Sequence, residues 1–178
     1  MGNKLFLLTA FIGCLFLMAF RAPKKKKVIF FGDSITQMGV QKGGYIDVLN
    51  NQIKAEGKQD QIELVGAGIG GNKIYDLFLR MDKDVLAKQP DVVVIWVGVN
   101  DVWHKSSFGT GTDYDKFGIF YDAVVKKIQA VGAKVVVVTP AVVAATVVDA
   151  ASVVTGGGVV APAVVVTSSV VVVAAAVV

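Results

Sequence analysis

Between residues 28 and 140 the chain alternates short apolar runs with longer stretches whose apolar residues recur at helical intervals. Val28-Ile29-Phe30-Phe31 has no polar break, the pattern of a strand covered on both faces, and it ends abruptly in Gly32-Asp33-Ser34. Residues 44–56 carry Ile46, Leu49 and Ile53 at helical spacing and stop at Gly57. Ile62 to Val65 reads as a second strand, closed by the glycine-rich loop Gly66-Ala67-Gly68-Ile69-Gly70-Gly71. Residues 73–87 bring Ile74, Leu77, Phe78, Met81, Val85 and Leu86 onto one helical face, and Pro90 ends that segment. Residues 91–97 form a third buried strand that breaks at Gly98-Val99-Asn100-Asp101, and a Ser/Gly/Thr loop is expected over 105–112. Asp113 is placed to cap a helix to about Val131, with Phe117, Phe120, Val124, Val125 and Ile128 facing in. Gly132 stops it, and Lys134 to Thr139 is a fourth strand before Pro140.

Strands that alternate with helices in this way need right-handed crossovers, which set the strands parallel and place helices on both faces of the sheet. The pattern therefore predicts an α/β domain with a parallel sheet over residues 23–140.

Both flanks differ from that domain. Residues 5–20 are an apolar run preceded by Lys4 and followed by Arg21 and Lys24 to Lys27. Residues 1–22 are read as a signal peptide or a short membrane anchor, since the run falls below the roughly 20 residues of a comfortable span. The protein is expected to be exported, either secreted or attached to a membrane through residues 5–20 and facing outside the cytoplasm. Cys14 is the sole cysteine, so no intrachain disulfide forms, and it reads as a small apolar residue of the leader. From residue 141 onward the character changes: 17 of the last 38 residues are Val, 10 are Ala, and Asp149 is the one charge. This low-complexity tail, residues 141–178, has little to fix a strand register and is read as a degenerate last strand and helix.

The net charge of +4 reflects the leader, because residues 1–27 hold six of the 18 basic residues and none of the 14 acidic ones. The remainder is slightly acidic, which argues against a nucleic-acid partner.

Three loops follow three strand ends: Gly32-Asp33-Ser34, Gly70-Gly71-Asn72 and Gly98-Val99-Asn100-Asp101. In an open parallel sheet such ends converge on one crevice. A serine there suits a nucleophile, and acyl transfer also needs donors for the developing oxyanion. The backbone amides of Ser34 and Gly71 and the side-chain amide of Asn100 are the candidates. Gly66 to Gly71 also matches a dinucleotide fingerprint, but it follows the second strand, and Asp91 stands before the next strand instead of closing it. No cofactor is expected. Asp82, Asp84 and Asp91 read as a solvated helix end, so no metal is expected. Trp96 is assigned to the core, while Trp103 beside His104 is placed between core and pocket.

The blocks GDSIT, GIGGN and GVND, in this order and each after a strand, resemble the SGNH (GDSL) hydrolase family of esterases and lipases over residues 28–140. The resemblance implies a three-layer, flavodoxin-like sandwich. It also implies Ser34 as nucleophile, Gly71 and Asn100 as oxyanion donors, and Asp33 and Asp101 in supporting places. The implied substrate is a small acyl ester, an acylated sugar or a lipid. The family's last block, DxxH, supplies the base histidine and its orienting aspartate. Here Asp149 is followed by Ala150-Ala151-Ser152, and the sole histidine of the sequence is His104, four residues after Asn100. A serine hydroxyl without a base is a weak nucleophile. The sequence therefore predicts an impaired ester hydrolase, with His104 as a rim residue or substitute base. The alternative is a pseudoenzyme of the same fold that binds esters or carbohydrates without catalysis.

Overall fold

The computed structural model describes residues 24–140, 164–166 and 170–175. Its six strands are β1 (Lys26–Gly32), β2 (Ile62–Gly68), β3 (Val92–Trp96), β4 (Lys134–Pro140), β5 (Val164–Val166) and β6 (Val170–Ala175), in the sheet order β2-β1-β3-β4-β6-β5. All neighbours pair parallel except β5, which runs antiparallel to β6. The helices are α1 (Ser34–Gly39), α2 (Tyr45–Ala55), α3 (Ile74–Asp84), α4 (Val99–Phe108) and α5 (Tyr114–Ala130), with a 3-10 turn at Leu86–Lys88.

The two faces of the sheet are unequal. Strand alternation sends Ile29, Phe31, Val93, Ile95, Val135 and Val137 into one apolar cluster. There they meet Leu77 and Met81 of α3 and Val124 and Ile128 of α5. Each fully buried aliphatic side chain contributes about 1.5–3 kcal/mol through removal from water, so this face holds most of the core. Phe30 points the other way, where Tyr45 of α2 lies edge-on to it at 5.6 Å and 5.5 Å from Trp96. Ile46 is buried on this side, but Leu49 is 39% exposed. The helical spacing of Ile46, Leu49 and Ile53 is realised as α2, of which Ile46 alone is fully covered.

Two expectations needed correction. Gly66-Ala67-Gly68 continues β2 as strand instead of opening a loop. The segment from Gly98 is not a long loop either: Val99–Phe108 is helix α4, and the loop begins at Gly109, which ends the helix in a left-handed conformation (φ 67°). Asp113 stands at the start of α5 without a side-chain capping bond, because its carboxylate pairs with Lys105 and Lys116. The leader, residues 1–22, lies outside the described residues, as does most of the tail.

Candidate active site

The parallel register aligns Gly32 of β1 with Gly68 of β2 and with Trp96 of β3, so three strands end at one level. The chain leaves β1 through Asp33, which caps α1. Asp33 Oδ1 accepts the Ile35 N–H at 3.0 Å, and the Asp33 carbonyl accepts the Gln37 N–H at 2.9 Å. Asp33 is fully buried, and its Oδ2 has no partner among the described residues. Burial pushes its carboxyl above the usual 3.8, against the opposing effect of the Ile35 hydrogen bond. Ser34, the first residue of α1, is half-buried. Its own N–H, at the helix start, has no intrahelical acceptor. The close approach of α1 to β2 requires glycine at 68, since a Cβ there would stand 2.2 Å from the Gln37 nitrogen.

The loop after β2 is held amide by amide. Ile69 N–H donates to Gly32 O, Gly70 N–H to Gln37 Oε1, Asn72 N–H to Ile69 O, Lys73 N–H to Asp76 Oδ2 and Ile74 N–H to the Asp101 carboxylate. Of the six amides from 69 to 74, that of Gly71 alone has no acceptor among the described residues. Gly71 adopts φ 75°, which glycine enters without steric cost. Its carbonyl accepts from the buried Lys73 Nζ at 3.3 Å, and Lys73 also pairs with Asp76 at 3.4 Å. A Cβ built on Gly70 would lie 3.8 Å from Ser34 Cβ, so this loop borders the serine.

Asn100, in the first turn of α4, is buried, and its Nδ2 donates to Asn72 O at 3.0 Å. An amide nitrogen carries two hydrogens, so a second donor remains on Asn100. His104 follows one turn later on the same helical face. It is half-buried, and its Cε1 lies 3.8 Å from where a Cβ of Gly71 would stand. Asp101 is buried beside them but aims elsewhere: it accepts from Ile74 N–H and Thr112 Oγ1, joining the start of α3 to the loop after α4. Burial raises its carboxyl, while the Thr112 and Ile74 bonds oppose the shift. Its contacts make it a brace of the loops.

Sequence reasoning missed Arg80, Lys73 and Gln37. Arg80 of α3 donates through Nε to Asn72 Oδ1 (2.7 Å) and through Nη2 to Gly32 O (2.9 Å) and Ala67 O (3.0 Å), with its guanidinium 4.7 Å over the Phe31 ring. The spacing to Asp84, which it also contacts at 2.8 Å, reads as an ordinary surface pair. Nothing in the sequence alone connects Arg80 to one loop and two strand ends.

The acids weighed as metal ligands are dispersed: Asp82 pairs with Lys127, Asp84 with Arg80, and Asp91 accepts the Lys27 N–H. A hollow of about 690 Å³ lies at the opposite edge of the sheet, beside Lys24, Lys26, Pro90 and Lys134 at the strand beginnings, remote from Ser34.

The loop that carries the Gly71 amide, without an acceptor among the described residues, thus borders Ser34, and Asn100 joins that loop through Asn72. The chain belongs to the GDSL-like lipase/acylhydrolase family, whose model matches residues 30–162. Among solved structures it is similar to the acetyl xylan esterase AlAXEase, at 66% identity and a TM-score of 0.64, over 65% of this chain and 58% of that one. An α/β hydrolase from the metagenome of Lake Arreo, Spain, aligns at 27% identity and a TM-score of 0.58, over 65% of this chain and 60% of that one. The acetylxylan esterase of Geobacillus stearothermophilus is 35% identical over 91 residues, covering 45% of this chain and 42% of that protein. The chain thus spans less than two thirds of the length of these relatives.

Proposed function

We propose that this member of the GDSL-like family is an ester hydrolase that uses Ser34 as nucleophile on a small acylated carbohydrate. We further propose that these 178 residues alone turn the ester over slowly. The observation that carries this reading is the Gly71 amide, which among the described residues has no acceptor, in a loop bordering Ser34. Ser34 Oγ attacks the acyl carbon, and the carbonyl oxygen gains negative charge. The N–H groups of Ser34 and Gly71 and the second hydrogen of Asn100 Nδ2 receive it. Collapse expels the alcohol and leaves an acyl-serine, which water cleaves to the acid. The relatives named as acetylxylan esterases support an acetylated xylan fragment as the ester.

The serine proton needs an acceptor. In the Geobacillus relative, catalytic mutants alter a serine, an aspartate and a histidine. Here Asp149-Ala150-Ala151-Ser152 has serine where a DxxH block has histidine. His104, against the oxyanion loop, is assigned to the substrate rim. Loss of a triad member leaves about 10³–10⁴-fold over water. The lack of a DxxH sequence after Asp149 also favours a second reading, a binding module that holds the ester without cleaving it. Residues 5–20 lie outside the described residues, and their apolar run supports export.

A fluorophosphonate incubated with the protein for hours, followed by peptide mapping, tests the nucleophile. An adduct on Ser34 that Ser34→Ala abolishes is expected. Modification confined to other residues overturns the assignment.

A further inference from the structure

We propose that Trp103 and Phe108 of α4 form a subsite that stacks the sugar ring of the ester's alcohol part. This rests on the ester-hydrolase reading of Ser34. Large aromatic rings are costly to leave in water, yet Trp103 is 57% and Phe108 65% exposed. They are not scattered. Trp103 and Phe108 lie 6.3 Å apart, and the half-buried His104 ring contacts both, at 5.5 and 5.2 Å. The three rings form one cluster.

The cluster adjoins the candidate site. His104 Cε1 is 3.8 Å from the Cβ position of Gly71, so the cluster begins where the oxyanion loop ends and extends outward along α4. An ester bound with its carbonyl at Gly71 has an alcohol part that must leave the site across some surface, and α4 supplies an aromatic one.

The surroundings favour a sugar over an alkyl chain. The rings share their helix with Lys105, Ser106 and Ser107, and Thr110 follows, all exposed. A pyranose presents C–H bonds on one face and hydroxyls around its edge. The C–H face suits an aromatic ring, whose electron-rich face attracts positive charge, and the hydroxyls suit a polar margin. An alkyl chain would need a longer, unbroken apolar surface.

Trp103 is one of two tryptophans, and the other, Trp96, has its indole nitrogen buried. Unacetylated xylotriose titrated against intrinsic fluorescence therefore reports on the subsite without requiring ester turnover. A saturable change is expected, with a Kd of about 1 mM. Phe108→Ala keeps the reporter and should weaken binding about five-fold. Trp103→Ala should remove the signal and, by calorimetry, weaken binding about ten-fold, with circular dichroism confirming the fold. No change with xylotriose overturns the proposal, as does a change that survives Trp103→Ala or a response to decanoate alone. Ser34-dependent hydrolysis of p-nitrophenyl acetate, which carries no sugar, judges the esterase reading separately.

Discussion

Arg80 and Asn72 are joined at 2.7 Å, and through this bond one residue of α3 ties the Gly71 loop to the ends of β1 and β2. Asn72 passes the connection on, since its carbonyl accepts from Asn100. Arg80→Ala removes a charged donor from the carbonyls of Gly32 and Ala67 and leaves Asn72 Oδ1 without its guanidinium partner; Gly32 O keeps the Ile69 N–H. We expect the substitution to cost about 2–4 kcal/mol in urea unfolding. Arg80→Lys should recover less than half, because an ammonium cannot span the same fork of acceptors. Equal stability of the Lys variant and wild type would contradict the clamp.

Asp33 makes stability depend on pH. Burial raises its folded-state pKa above 3.8, so the folded protein holds this proton more tightly than the unfolded chain. Its contribution is fully present below 3.8 and is lost as pH climbs through the raised value. Asp33→Asn keeps an oxygen for the Ile35 N–H and removes the charge. The variant should be more stable than wild type at neutral pH, with the difference shrinking as pH falls toward 3.8. Unfolding midpoints across that range decide it. A variant less stable at neutral pH would mean that Oδ2 is held by a donor.

Gly71→Ala meets no wall, because the new Cβ would sit at an ordinary 3.8 Å from His104. The strain is in the backbone at φ 75° and should cost about 1–2 kcal/mol. Relief of that strain turns the peptide and re-aims the free amide. Ser34-dependent hydrolysis should therefore fall further than stability does. Unchanged hydrolysis would remove Gly71 from the site.

Thr112→Val removes a hydroxyl donor from the buried Asp101 carboxylate. The expected loss is about 1–2 kcal/mol at neutral pH, read by thermal or urea unfolding. No loss would mean that Asp101 does not brace the loops.

Strands β1 to β4 and the order of the loops after them were legible because unbroken apolar runs and glycine breaks are local signals. Helix α4 was not. Gly98 before it and the Ser106-Ser107 and Gly109 to Thr112 composition read as loop, whereas the helix is fixed from outside, through Asn100 to Asn72 and Asp101 to Ile74. Arg80 was hidden for a similar reason: its acceptors at Gly32, Ala67 and Asn72 are distant in sequence. The pairing of β6 with β4 was not legible, because β6 is a uniform Val/Ala stretch that gives no alternation to set its register against the valines of β4.

Supplying a proton acceptor from solution tests the proposed slow turnover and the role of Ser34 together. Hydrolysis of p-nitrophenyl acetate by the chain and by Ser34→Ala is compared with and without added imidazole. The difference should be small without imidazole, and imidazole should bring a Ser34-dependent increase that His104→Ala leaves unaffected. Identical rates for the chain and Ser34→Ala under both conditions would contradict Ser34 as the nucleophile. Fast turnover without imidazole would contradict the impaired reading, and its loss in His104→Ala would make His104 the base.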